Sequence, residues 1–195
     1  MFNGIIYSTG KIIYLRKNYK SISLGIQTRL NFRKKDIGSS VSCNGVCLTI
    51  ENIKKNKIYF YVSNETLSRS NFKLAKLGDL INLEKSLIYG QRISGHFVQG
   101  HVDTIAKINK ITLKDKTWII IFTLKDKKLS KFLIEKASIS INGVSLTISK
   151  VNRDFFEVNV IPHTLKLTNL KNLRVKKIVN VELDIFAKYM LKISK

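Results

Sequence analysis

Residues 40–50 read SVSCNGVCLTI, and residues 138–148 read SISINGVSLTI. Eight of these eleven positions are identical at an offset of 98. The offset holds on both sides of the pair. VSNETL at 62–67 faces VIPHTL at 160–165, and INLE at 81–84 faces VNVE at 179–182. Near the start it becomes 96, where GIIYSTGKI from Gly4 faces GHVDTIAKI from Gly100. Two tandem copies therefore fill nearly all of the 195 residues. A long period present only twice marks a duplicated domain rather than a solenoid.

Each copy reads as β structure. Short β-rich runs recur at Lys11–Leu15, Ser21–Ile26, Val46–Ile50, Ile58–Val62 and Leu80–Glu84. The second copy repeats them at Ile105–Ile111, Thr117–Leu124, Val144–Ile148, Phe155–Ile161 and Ile178–Leu183. Asn44-Gly45 and Asn142-Gly143 are hairpin-turn signals between such runs. Five or six short strands per copy favour a small closed barrel, because closure removes exposed edges. Short helices are expected around Thr66–Leu74 and Leu129–Glu135. The expected boundaries are a first barrel at 1–93, a second at 94–184 and a C-terminal helix at 185–195. In that helix Ile185, Phe186, Tyr189, Met190 and Ile193 fall on one stripe. So short a helix needs a surface to pack on, and a neighbouring subunit is the expected one.

The net charge is +22, from 35 basic and 13 acidic residues. Such a charge invites a nucleic-acid reading. Yet lysine supplies most of it, no lysine run exceeds two, and arginine forks that read bases are few. The charge is read as a solvated surface, with no nucleic-acid partner. No apolar run approaches the length of a membrane span, and no secretory leader pattern opens the chain, so a cytoplasmic protein without a membrane partner is expected. Two cysteines, Cys43 and Cys47, make no disulfide framework and fit a reducing compartment. Their spacing is poor for zinc, and no metal site is expected.

The motifs MF-x-GII at the N-terminus, NGVCLT at 44–49, GHFVQGHVD at 95–103, NGVSLT at 142–147, IPHT at 161–164 and VNVELD at 179–184 occur in this order. Together they resemble riboflavin synthase of the alpha-chain type, over about residues 1–190. The resemblance implies an all-β fold of two six-stranded Greek-key barrels plus a C-terminal helix. It implies a cofactor-independent transferase reaction. Two molecules of 6,7-dimethyl-8-ribityllumazine give riboflavin and 5-amino-6-(D-ribitylamino)uracil by transfer of a four-carbon unit. It further implies a homotrimer, with each active site between the first barrel of one chain and the second of its neighbour, and an association with lumazine synthase. Asn3, Tyr7, Ser94, Ala137 and Lys176 depart from the family's usual residues.

The resemblance sets Cys47, Leu48 and Thr49, and likewise Ser145, Leu146 and Thr147, against the bound rings. The plain alternative is ordinary strand residues kept by common descent. His101 is the expected proton carrier, since imidazole titrates near neutrality. His96 is read as structural. Both histidines are expected in one strand, on opposite faces. Asp184 has only Ser86 opposite it in the first copy, which marks it for the asymmetric step; a helix N-cap is the rival reading. Phe2 is expected to stack over a ring or to close the interface. With Cys47 and Ser145 these complete the expected catalytic set. Substrate contacts are expected from Gly4, Ile5, Ile6, Ser40, Tyr61, Val62, Ser63, Asn64, Glu65 and Thr66. Others are expected from Gly100, Val102, Lys136, Val160, Ile161, Pro162, His163, Thr164 and Leu165. A non-catalytic lumazine or flavin binder, and a barrel for single-stranded nucleic acid, are the competing functions.

Overall fold

The computed structural model describes residues 1–153 and 155–193, so residues 194 and 195 of the expected tail lie outside the described residues. Among the described residues twelve strands build two closed antiparallel barrels. The first barrel contains β1 (Ser8–Asn18), β2 (Ser21–Thr28), β3 (Ser40–Cys43), β4 (Val46–Lys54), β5 (Lys57–Ser63) and β6 (Leu80–Lys85). The second contains β7 (Thr104–Lys114), β8 (Thr117–Leu124), β9 (Ser138–Ile141), β10 (Val144–Asn152), β11 (Phe155–Val160) and β12 (Ile178–Leu183). The strand order β1-β2-β5-β4-β3-β6 recurs in the second barrel as β7-β8-β11-β10-β9-β12. The third strand of each barrel, β3 or β9, is only four residues long. So short a run carries no readable period, and it escaped the strand-by-strand reading of the sequence.

The duplication extends to irregularities. Bulges between Ile12 and Tyr14 and between Ile50 and Asn52 recur between Ile108 and Lys110 and between Ile148 and Lys150. Bulges raise local twist and let a six-stranded sheet curl shut. Inward-facing aliphatic and phenyl side chains then fill each lumen. Ile12, Leu24, Ile26, Ile50 and Phe60 are buried in the first core, and Ile108, Ile120, Phe122, Ile148 and Phe156 in the second. Each such side chain contributes about 1.5–3 kcal/mol through burial.

The helices differ from expectation in detail. α1 spans Asn64–Arg69, capped by Ser63, and a 3-10 turn follows at Asn71–Leu74. The matched α2 spans Pro162–Leu167, with proline in its first turn. A 3-10 turn at Lys127–Phe132 replaces the helix expected around Leu129–Glu135. α3 spans Ile185–Ile193. Its Ala187 is buried, and Phe186 meets Phe97 edge-to-face at 5.9 Å. Lys188 Nζ pairs with the Asp103 carboxylate at 2.9 and 3.0 Å. Phe186, Tyr189, Met190 and Ile193 remain exposed.

The barrels meet about an approximate twofold axis. Asn44-Gly45 and Asn142-Gly143 turn with positive φ throughout, as a two-residue hairpin requires. The turns abut: a Cβ on Gly45 would stand 2.7 Å from the Gly143 nitrogen. Around them Asn82 Nδ2 donates to the Asn142 carbonyl, and Asn180 Nδ2 donates to the Asn44 carbonyl. At another point on the axis Phe2 and Val98 form an antiparallel bridge, both fully buried. The segment 95–103 that leads into β7 is irregular, so His96 and His101 do not share a strand. Gly100, at φ +81°, breaks the extended run between them.

Candidate active site

The two lead-in segments exchange barrels. The Gly100 carbonyl accepts a hydrogen bond from Cys47 N at 2.8 Å, and the Gly4 carbonyl accepts one from Ser145 N at 2.8 Å. The segment before the second barrel thus lies on the first barrel, and the segment before the first lies on the second. The next residues follow the same exchange: Ile6 is buried in the second core, and Val102 packs against the first. Contact is close enough to demand glycine. A Cβ on Gly100 would stand 2.6 Å from Cys47 Cβ, and one on Gly4 would stand 2.7 Å from Ser145 Cβ.

Beside the first crossing is a cavity of about 370 Å³, lined by Val46, Cys47, Glu65, Thr66, Arg69, Ser70, Gly100, His101, Val102 and Asp103. Six expected site residues meet there: Cys47, Glu65, Thr66, Gly100, His101 and Val102. They bring a free thiol, an imidazole and a hydroxyl to one concave wall. A larger cavity, about 530 Å³, lies among the axis asparagines and contains none of the expected site residues. Those asparagines are engaged with one another and with backbone groups.

At the second crossing the Ser145 hydroxyl lies 2.7 Å from His96 Nδ1. His96 is buried, and its Nε2 has no protein partner. Burial pushes the His96 pKa below its usual value, and the Asp184 charge partly offsets this. Asp184 Oδ1 accepts from Phe186 N at 2.9 Å and caps α3. The N-cap reading therefore describes its bonding, while its field still reaches His96. His163 and Thr164 stand on α2, at the places that Glu65 and Thr66 take on α1.

The remaining expected residues fall elsewhere. Leu48 and Val62 belong to the first core, and Val160 and Leu165 to the second. Phe2 is fully buried. Ser40 pairs with Thr49 across β3 and β4, and Thr147 pairs with Ser138 across β9 and β10. Tyr61 on β5 is half exposed. Ser63 accepts from Thr66 N and starts α1, where Asn64 is the first residue. Ile161 and Pro162 start α2. Ile5 follows Gly4, and Leu146 packs at the edge of the second core. Lys136 is exposed at a positive-φ turn before β9.

Two carboxylates were missed. Glu84 accepts from Asn3 N and Gly4 N at 2.7 and 2.9 Å. Glu182 accepts from Gln99 N and Gly100 N at 2.6 and 2.9 Å. Burial raises the Glu84 pKa to about 7 against these bonds, and it raises that of Glu182. The available signal was an acidic residue closing both INLE and VNVE. Among the described residues no cluster of three or more His, Cys, Asp or Glu is placed to hold a metal ion.

Comparison with known proteins gives this architecture a class. The lumazine binding domain matches twice, over residues 3–86 and 99–184, so the chain is a duplicated lumazine-binding-domain protein. Solved structures of LumP agree. The complex with riboflavin superposes with a TM-score of 0.81 at 26% identity, covering 94% of this chain and 99% of that one. The complex with 6,7-dimethyl-8-(1'-D-ribityl) lumazine gives 0.80 at 26%, covering 93% and 98%. Riboflavin synthase of Actinobacillus pleuropneumoniae is 37% identical over 97% of this chain and 88% of its own length. That of Photobacterium leiognathi is 36% identical over 100% and 89%. The chain belongs to the riboflavin synthase family.

No helix of the described residues is long and apolar enough to cross a membrane.

Proposed function

We propose that this chain is a riboflavin synthase that disproportionates 6,7-dimethyl-8-ribityllumazine. Two molecules give one riboflavin and one 5-amino-6-(D-ribitylamino)uracil, so the atoms balance without a cofactor. The observation that carries the reading is the matched pair of crossings, one presenting Cys47 and the other Ser145. A reaction between two copies of one heterocycle calls for two related pockets. Holding both rings replaces an encounter in solution, an advantage of up to about 7–11 kcal/mol.

The two crossings are alike in backbone and unlike in chemistry. One has a thiol beside a cavity that His101 also lines; the other has a hydroxyl bonded to a buried imidazole. The chemistry needs a proton taken from the C7 methyl of one lumazine and a transient nucleophile at the other. A neutral imidazole suits the first task, and burial favours the neutral form of His96. We read Cys47, His101, Ser145, His96 and Asp184 as the groups that divide the proton transfers and the nucleophilic step. α1 and α2 supply side chains for the ribityl hydroxyls.

We further propose a homotrimer, in which the first barrel of one chain faces the second barrel of the next. The apolar stripe Phe186, Tyr189, Met190 and Ile193, exposed on α3, supports this. The free thiols Cys43 and Cys47 support a cytoplasmic setting.

The test is direct. Purified protein given the lumazine alone should produce riboflavin fluorescence, with two lumazines consumed per riboflavin. Tight binding with no riboflavin formed would leave a carrier protein in place of an enzyme.

A further inference from the structure

We infer that Glu84 and Glu182 are positioning residues that act across the twofold axis, each in the sheet of one barrel and each holding the strap that lies on the other barrel. The inference rests on the proposed reaction for its meaning, but its geometry stands by itself.

Glu182 is the penultimate residue of β12 in the second barrel. Its two oxygens take the Gln99 and Gly100 amides at 2.6 and 2.9 Å. That fixes the Gly100 peptide, whose carbonyl takes Cys47 N of the first barrel at 2.8 Å. Glu84 is the penultimate residue of β6 in the first barrel and takes the Asn3 and Gly4 amides at 2.7 and 2.9 Å. Gly4 in turn takes Ser145 N of the second barrel at 2.8 Å. The same three-bond pattern is thus built twice.

A carboxylate is the side chain that satisfies two adjacent N–H groups at once, since it has two acceptor oxygens and no donor. An amide in its place presents a donor to one of those N–H groups. Both glutamates are buried, at 8% and 2% exposure, and the favourable form of the contact is the charged one, which burial opposes. A purely structural strap would be held more cheaply by neutral groups. Glu182 is not part of the cavity wall, so it reaches Cys47 and His101 only through the strap.

The test reads thiol accessibility, which needs no turnover. Cys47 is partly exposed under the Gly100 strap, whereas Cys43 is fully buried and its pKa is pushed well up. Cys47 labelling by a small maleimide therefore reports the first crossing. The second is reported by the thiol introduced by Ser145→Cys in a Cys47→Ser background. Glu182→Gln should speed labelling at position 47 about tenfold and leave position 145 unchanged, and Glu84→Gln should do the reverse. In turnover Glu182→Gln should lower kcat, and Glu182→Asp should recover part of it. If each substitution frees the thiol of its own barrel, or frees neither, the crossed assignment is wrong. Should the Gln variants fail to fold, hydrogen exchange on the unmodified protein decides. Gln99, Gly100, Asn3 and Gly4 amides should exchange as slowly as the strand amides, and exchange at exposed-loop rates overturns the inference. A wild-type protein that makes no riboflavin would remove the enzymatic reading while leaving the labelling pattern to stand or fall.

Discussion

Ser145 Oγ and His96 Nδ1 lie 2.7 Å apart, whereas the residue matched to Ser145 in the first barrel is Cys47. The two crossings therefore share a backbone but not a reagent. His96 accepts or donates at Nδ1 while its buried Nε2 has no protein partner, so the ring retains capacity for a proton. His96→Ala should lower kcat by about 10²-fold or more, with lumazine affinity nearly unchanged. Single-turnover kinetics beside fluorescence titration separate the two, and a loss confined to binding would make His96 a packing residue.

Burial holds the His96 pKa below the usual value of about 6.5. If neutral His96 is the working form, the acid limb of the kcat profile falls below pH 6.5. In His96→Ala that limb should disappear from the residual activity. A limb that persists unchanged would assign the titration to another group.

Glu84 links pH to stability with the opposite sign from most carboxylates. Its pKa rises from 4.5 to about 7 on folding, so between these values the folded chain binds more protons than the unfolded one. Its contribution is neutral below pH 4.5 and becomes unfavourable as pH rises toward 7, by on the order of 3 kcal/mol. Denaturation at pH 5 and pH 8 in wild type and Glu84→Gln isolates this contribution. The stability difference between the two pH values should shrink in the variant, and equal differences would show that Glu84 titrates as an ordinary carboxylate.

Gly90 and Gly100 both have φ near +80°, but only Gly100 has a close neighbour. Nothing stands within 4 Å of a Cβ on Gly90, so Gly90→Ala should cost only the backbone penalty of about 1 kcal/mol. Gly100→Ala adds a clash with Cys47 and should cost about 1–3 kcal/mol more. It should also raise the lumazine Kd, because the displaced strap carries His101. Equal destabilisation of the two variants would show that the strap yields freely.

The sequence contained the duplication, the barrels and the hairpin turns, because identity at a fixed offset survives without any knowledge of packing. It even marked the place where two residues enter the second copy. The offset changes from 96 to 98 between β2 and β3, where Lys34–Asp36 faces the longer turn Lys127–Phe132. What it did not contain was the exchange of lead-in segments. Matching Gly4 to Gly100 says that the two are equivalent, not which barrel each one touches. For the same reason Glu84 and Glu182 looked like strand ends, and His96, read as structural, proved to be the partner of Ser145.

The exchange makes a definite claim about half of the chain. Residues 1–93 hold all six strands of the first barrel but lack Gly100, His101 and Val102. Expressed alone, the half exposes Cys47 N, the patch under Val102 and the Gly45 turn. A second copy has the missing piece already, since its Gly4–Ile6 matches Gly100–Val102 at the offset of 96. The fragment should therefore associate as a dimer in which each Gly4 strap lies on the other copy's Cys47. Such a dimer should bind lumazine but turn it over poorly, because Ile5 stands where His101 would be. Sedimentation with ligand titration checks this, and a monomer that binds as tightly as the full chain would show that the strap is dispensable to the pocket.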